Sequence, residues 1–375
     1  MKTVLYLRRR RGGYMRLMCA VLLLAAVIFP AAASEGARSG LRLCGSVLVP
    51  SLLPFMVLSA WAAEEGMFNG TGRVSSALMR WVFNMPGAAL GPLLSGWLCG
   101  YPAGARAAAR AYEDGLLTKA QAERLLTFCV CASPQFAIAA VGASLMGNAY
   151  AGVCIYLGAV GACIVTGVVG GLFSRREKGS AGALAEKRPS GGFAAAVADG
   201  TESMLKICAL TVLFAAFIGV AEGTGALAAF CRALSRIGGS ADMWSAVVKI
   251  AAELANGASA AVGARGGFAI CAAGSGFGGV CVLAQCAALA RTKRERLRLA
   301  PMLLSRAAHA ALTAVFALLL MRLDTRAVMT FSAMPEGAGA VFTLNNIPAA
   351  VIMLMTAAVV LMRAASRGEM RENKI

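Results

Sequence analysis

Long apolar runs alternate with short charged clusters along this chain, and the runs predict its fold. Several reach the roughly 18 residues that an α-helix needs to cross a hydrocarbon core of about 30 Å. The pattern therefore predicts an all-α integral membrane protein. The runs that we interpret as simple spans cover residues 44–63, 125–145, 150–173, 205–220, 268–290, 302–321 and 341–362.

Two other apolar runs, at residues 81–104 and 244–262, contain residues that interrupt a helix. Hydrocarbon cannot satisfy the backbone groups that an interruption frees, so such segments survive only against protein or a wet cavity. We predict two re-entrant, broken hairpins, the first entered from the cytoplasm and the second from outside. Residues 106–113 are expected to form a charged surface helix where the first hairpin ends.

The two halves of the chain show the same order of elements: span, broken hairpin, span, span. The first series begins at Cys44 and the second at Leu205, in opposite predicted directions, which is typical of an inverted-topology repeat of transmembrane helices with its site at the midplane. The predicted divisions are a basic segment with a first transmembrane helix (1–40), a first repeat (41–174), a cytoplasmic linker (175–203), a second repeat (204–322), and a last helix with a basic tail (323–375).

Two sequence blocks carry a family resemblance. The first reads SGWLCGYPAGAR, then EDGLLTKAQAERLLTFC, then ASPQF; the second reads AELANG, followed by GFGG and Gln285. Together they resemble the bacterial sporulation integral membrane protein (YlbJ-type) family, within the nucleoside-recognition or Gate group. The resemblance implies a relation to concentrative nucleoside transporters and a role in spore formation. It also implies movement of dipicolinic acid, a small dicarboxylate, across the outer forespore membrane.

Glu253 is the strongest candidate for a binding residue in the second half. A carboxylate within an apolar stretch costs several kcal/mol unless it is paired, hydrated or protonated, so its default interpretation is functional. Asn256 lies about one helical turn further on, on the same face. The pair is expected to hold a substrate hydroxyl, a ring nitrogen or a coupling ion. The alternative is that Glu253 sits near the outer mouth and meets water.

A glycine-rich stretch, residues 274–279, supplies the next candidates, Gly276, Gly278 and Gly279. Glycines at this spacing let helices pack closely. They also let a helix unwind and expose carbonyl groups to a ligand. Gln285 is expected to face the same groove and to donate to a carboxylate.

The first half supplies candidates at its hairpin and at a proline in the following helix. Proline has no N–H group, so a free carbonyl is expected upstream of Pro134, available to an ion or to Ser133. The substrate-binding candidates of this half are Ser95, Gly100, Tyr101, Pro102, Ser133, Pro134 and Gln135.

The formal net charge of +18 has topology as its simplest cause. Basic residues cluster between the apolar runs, and the cytoplasmic loops of membrane proteins are typically rich in lysine and arginine. We therefore expect no nucleic-acid partner. Residues 17–29, followed by three alanines, fit either a cleaved signal peptide or an uncleaved first helix, and we expect the helix.

The sequence offers no site for a metal or cofactor and no enzymatic motif. Its 12 cysteines are scattered through apolar runs, and His309 is the only histidine. Neither a P-loop, a G-x-S-x-G elbow nor an HExxH motif occurs. We expect a protein that is not an enzyme and needs no cofactor.

The expected partners are the lipid bilayer and a small, anionic substrate, with a homo-oligomer left open. Arg106 and Arg265 each follow a predicted hairpin and are candidate partners for a dicarboxylate, or anchors in the lipid headgroups. A nucleoside or another polar solute is the second candidate substrate. A membrane scaffold for sporulation that transports nothing is the alternative class.

The loop at residues 291–298 and the linker are predicted to be cytoplasmic because both are basic and adjoin spans. Thr292→Cys and Ser180→Cys should therefore resist a membrane-impermeant maleimide added to intact cells, and should react once the cells are permeabilised. Strong labelling of either variant from outside, above the background of the parent chain, would contradict the predicted topology.

Overall fold

The structure is a computed structural model, and the described part of it is helical with short connections. The described residues contain no β-strand. They are residues 20–21, 23–65, 72–174, 192–290, 292 and 294–323. Residues 175–191 of the predicted linker and the last predicted span at 341–362 lie outside this part of the chain. The predicted end of the linker at residue 203 is wrong, because a helix begins at Gly192.

In its described residues, the first half begins with a helical segment at residues 20–21 and 23–28 and continues with seven α-helices, with π-helical and 3₁₀ segments between some of them. They are α1 (Pro30–Leu43), a π-helix (Cys44–Leu48), α2 (Val49–Glu64), α3 (Arg73–Phe83), a 3₁₀ turn (Gly87–Ala89), α4 (Leu90–Cys99), α5 (Tyr101–Glu113), α6 (Lys119–Cys129), a second π-helix (Gln135–Leu145) and α7 (Ala149–Leu172).

The second half contains seven α-helices in its described residues. They are α8 (Gly192–Gly223), α9 (Ala226–Ser235), α10 (Ala241–Ala252), α11 (Leu254–Val262), α12 (Gly267–Phe277), α13 (Gly279–Leu289) and α14 (Ala300–Leu323).

Five helical stretches among the described residues are long and apolar enough to cross a membrane. Large apolar side chains lie on the outside of the helical assembly, as a lipid-facing surface requires: Trp81 is 89% exposed, Leu172 78% and Leu304 79%. The predicted class, an all-α integral membrane protein, is confirmed at this level.

The helical stretch that contains the predicted span at residues 44–63 begins earlier, at Pro30. Residues 30–62 form one continuous 33-residue stretch, and the boundary predicted between residues 40 and 41 falls inside it. Small residues explain the extension, because they allow α1 to pack closely on α8. A Cβ atom at Gly36 or Gly40 would collide with α8 at Ala215.

The first hairpin also extends further than predicted. Helices α4 and α5 fold back on each other about Gly100, so that Gly96 and Gly104 face each other with no room for a Cβ atom on either. Residues 106–113, expected as a surface helix, instead belong to the second arm. Alanines on one face of α5 are buried against α4, α6 and α13, which explains the difference.

Hydrogen bonds join the ends of several elements on each side of the assembly. The side chain of Asn84, after α3, donates to the Gly171 carbonyl at the end of α7 (3.2 Å). The backbone N–H of Arg298, before α14, donates to the Glu123 carboxylate on α6 (2.8 Å). The start of α7 meets the end of α14, where the Tyr150 hydroxyl donates to the Leu320 carbonyl (3.3 Å).

The two arms of the second hairpin, α10 and α11, pack so closely that there is no room for one added methyl group between them. A Cβ atom at Gly257 on α11 would collide with the backbone of Ile250 on α10. We expect Gly257→Ala to destabilise the protein by at least the about 1–3 kcal/mol typical of overpacking. Thermal unfolding of the purified protein in detergent measures the effect.

Gly263→Ala is the matched control, because Gly263 ends the same helix with ordinary backbone geometry and nothing within 4 Å of its Cβ position. An unchanged melting temperature for Gly257→Ala would show that the two arms are not packed as described.

Candidate functional site

Four breaks in helical backbone define the candidate site in the described part of the chain. Gly100 joins α4 to α5 at φ 94° and ψ −179°, a region open only to glycine. Residues 130–133 are non-helical between α6 and the second π-helix. Glu253 is extended between α10 and α11, and Gly278 separates α12 from α13 at φ 93°.

The fold brings these four breaks together. A Cβ atom at Gly100 would lie 3.2 Å from the Ser133 side chain, so the first two breaks touch. Gly278 lies against the ring of Tyr101, the residue after Gly100. A Cβ atom at Gly279 would lie 3.3 Å from the backbone nitrogen of Leu254, the residue after the third break.

Pro134 leaves a carbonyl group free, as predicted, and the structure shows what fills it. In a continuous helix the Val130 carbonyl would accept from residue 134, which is a proline without an N–H group. The guanidinium of Arg306 takes that place: Nη1 donates to the Val130 carbonyl (2.9 Å) and Nη2 to the Thr127 carbonyl (3.0 Å). A charged side chain from α14 therefore caps the broken end of α6.

Tyr101 performs the reciprocal task for the second half. The left-handed backbone at Gly278 and Gly279 ends the hydrogen-bond ladder of α12, which frees the Ser275 carbonyl. The buried Tyr101 hydroxyl donates to that carbonyl. Each half thus supplies a side chain that donates to the carbonyl groups left free at a break in the other half.

Glu253 is buried, 3% exposed, and serves as the N-terminal cap of α11. Its carboxylate accepts from the backbone N–H groups of Ala255 (3.1 Å) and Asn256 (2.7 Å). It also accepts from the Asn256 side chain (2.8 Å) and, at 3.4 Å, from the Thr211 hydroxyl on α8. Helix N-termini favour negative charge, so the capping interactions offset part of the cost of burying this carboxylate.

Asn256 uses both of its amide hydrogens within the protein. Its Nδ2 atom donates to the Glu253 carboxylate and to the Thr211 carbonyl (3.3 Å). Its side-chain oxygen is therefore the atom left to accept a hydrogen bond, and the residue is only half-buried. Of the predicted pair, Asn256 presents the more available polar group.

The remaining predicted residues divide into those at the breaks and those beside them. Ser133 is buried, and its hydroxyl accepts from the Phe136 N–H group (3.3 Å). Pro102 is the second residue of α5, and Gln135 is the first residue of the second π-helix. Gly276 packs against His309 and Thr313 on α14. Ser95 lies on α4, before Gly100.

The Gln285 side chain donates to the Cys281 sulfur (3.5 Å) and makes no hydrogen bond to Glu253.

The sequence reading missed Arg306 and Thr211. An arginine inside the apolar segment of α14 was the available signal for Arg306, whereas Thr211 had none. The two arginines proposed from sequence are found away from the four breaks or engaged elsewhere. Arg106 forms an ion pair with Asp199 on α8, and Arg265 is exposed.

The fold and these breaks define a multi-pass, α-helical membrane protein with a buried polar centre. Residues 46–149, which contain the first two breaks, match the family model described as Gate, nucleoside recognition. The chain is 30% identical over 227 residues to the sporulation integral membrane protein YlbJ of Bacillus subtilis (strain 168). The family resemblance predicted from the two sequence blocks is therefore confirmed.

The aligned region covers 54% of this chain and 56% of that relative, so the chain spans little more than half of the protein it matches. No solved structure matches the chain.

Replacing the cap at Glu253 tests its structural contribution. Glu253→Gln keeps the shape but turns one accepting oxygen into a donor that faces other donors. We expect the loss of a hydrogen bond to a charged group to lower the free energy of unfolding by about 1.5–3 kcal/mol. Glu202→Gln, which alters an exposed pair with Lys206 within α8, should change it little. Equal stability of both variants would contradict the capping role.

Proposed function

We propose that this protein moves a small polar solute across a membrane, through a site formed where the backbone breaks of its two halves meet. The observation that carries the proposal is the contact of Gly100 with Ser133, of Gly278 with Tyr101, and of Gly279 with Leu254. Broken helices at membrane depth are where secondary transporters bind solutes and coupling ions, because backbone groups there are free for a ligand.

The proposal includes an inverted-topology repeat with two re-entrant hairpins. The elements correspond in order: α2 with α8, the α4–α5 hairpin with α10–α11, α6 and its π-helix with α12–α13, and α7 with α14. Corresponding elements pack on each other, α2 on α8 and α7 on α14. These pairings are what a two-fold relation between the halves would produce, and they support alternating access by movement of one half against the other.

For the solute we propose dipicolinic acid, and for the setting the outer forespore membrane. The support is the similarity to a relative whose name describes a sporulation membrane protein. A nucleoside is the second candidate, supported by the description of the family model that residues 46–149 match. In either case the protein acts as a carrier that needs no cofactor, and not as an enzyme. It lies in the lipid bilayer, either as a monomer or as a homo-oligomer.

A scaffold that transports nothing is the competing class. Such a protein has no use for a buried carboxylate with a half-buried amide beside it, nor for four breaks that each need a dedicated partner. Each free backbone group in hydrocarbon costs several kcal/mol. This cost favours transport over a scaffold.

Uptake into liposomes tests the function. Purified protein reconstituted into liposomes should accumulate labelled dipicolinate, with a rate that saturates with concentration. Glu253→Gln should lower the rate per folded molecule by about tenfold or more, equivalent to about 1.4 kcal/mol of lost interaction. The exposed Glu202→Gln variant is the control and should transport like the parent.

A parallel series with labelled uridine separates the candidate solutes. Saturable uptake of uridine alone would replace dipicolinate by a nucleoside. No uptake of either solute by correctly folded protein would favour the scaffold and overturn the proposal.

A further inference from the structure

Arg306 is a fully buried charge without a carboxylate partner. Its side chain is 1% exposed and lies within α14, which is long and apolar enough to cross the membrane. The ion pairs of the described residues do not include it. An uncompensated charge in such surroundings costs several kcal/mol, so something must balance it.

The carbonyl groups that Arg306 caps balance only part of this charge. The C-terminal end of a helix carries roughly half a negative charge, and α6 presents that end to the guanidinium through Thr127 and Val130. Among α6, α7 and α12, the elements that pack most against α14, the carboxylate is Glu123 on α6, and it already accepts from the Arg298 N–H group (2.8 Å). Part of the positive charge is left over.

Unused donors lie on the same helix as this charge and on α12, which packs against it. Within the described residues, the buried atoms without a hydrogen-bond partner are Arg306 Nε, His309 Nε2, Thr313 Oγ1 and Ser275 Oγ. All four side chains are at most 1% exposed. Buried polar atoms are normally satisfied, so a cluster of orphans indicates a missing water or ion.

The helix geometry places these orphans on one buried face. Residues 306, 309 and 313 follow the spacing of a single helical stripe. Gly276 lies against His309 and Thr313, which brings the adjacent Ser275 on α12 to the same stripe. Each of these groups can donate a hydrogen bond, and their net charge is positive.

We infer that this cluster, Ser275, Arg306, His309 and Thr313, is a binding site for a small anion. A water molecule would satisfy the donors but leave the charge of Arg306 uncompensated, whereas an anion satisfies both. A cation would find no carboxylate in the cluster and would meet the guanidinium. The site does not depend on the proposed transport function, and it adjoins the breaks through Tyr101, whose hydroxyl donates to Ser275.

Ligand-dependent stability of the full-length protein tests the inference. The protein is purified in detergent in a HEPES buffer free of small anions, and its melting temperature is followed during titration with sodium chloride or sodium dipicolinate. Sodium HEPES of equal ionic strength is the blank. A specific anion should raise the melting temperature saturably, since ligands that bind the folded state stabilise it. Saturation with chloride identifies an inorganic ion as the ligand, and saturation with dipicolinate identifies a dicarboxylate as the ligand.

Thr313→Val tests the site without disturbing the capping of α6. It removes one unused hydroxyl at nearly constant volume, so the protein should fold normally without the anion. With the anion, we expect the dissociation constant to rise about tenfold, as for a lost hydrogen bond to a charged group. Thr166→Val is the matched control, because the Thr166 hydroxyl already donates to the Ala162 carbonyl (2.8 Å).

Arg306→Lys supplies a second variant, which keeps a charge but loses the planar fork. It should also weaken the anion effect by about tenfold or more. The inference is overturned if neither anion produces a saturable shift beyond the blank, or if both variants respond to it like the parent.

Discussion

Free backbone groups at the four helix breaks are the constraint on which the rest of this structure depends. Inside a bilayer no water is available to satisfy them, so each break must find its partners within the protein. Glu253 supplies them for the N–H groups of α11, and Arg306 supplies them for the carbonyl groups of α6. The breaks therefore cannot exist independently of the helices that complete them.

This constraint joins the two halves of the chain. Arg306 belongs to the second half and completes a break in the first, and Tyr101 belongs to the first half and completes a break in the second. Removing either partner would leave a buried carbonyl unsatisfied, at a cost of about 1–3 kcal/mol. These two sets of hydrogen bonds, from Arg306 and from Tyr101, hold the breaks side by side. Any motion of one half against the other must either break these bonds or move the donor and acceptor together.

The same constraint explains why the centre is polar and still buried. Capping groups strong enough to hold a broken helix are themselves charged or hydroxylated, and they bring unused donors with them. Arg306 illustrates this, because a guanidinium has five N–H donors and the two capping interactions leave Nε free. The candidate solute site and the inferred anion site are thus consequences of the same broken backbone.

The sequence predicted the helical membrane class and the break at Pro134, because each has a local cause. It also identified Glu253, since a carboxylate in an apolar run is conspicuous. It did not predict the length of the first hairpin, because the alanines that bury α5 look the same on a surface helix. Nor did it assign Arg306 or Thr211, whose roles exist only through contacts between distant segments.

The central claim is that the hairpin tips and helix breaks of both halves form one site. An experimental map of the purified protein with dipicolinate, obtained by electron cryomicroscopy, tests it directly. The account predicts solute density bounded by Gly100, Ser133, Asn256 and Gly278, with Arg306 in contact with the Val130 carbonyl. Hairpin tips separated by lipid, or solute bound away from the breaks, would contradict the account.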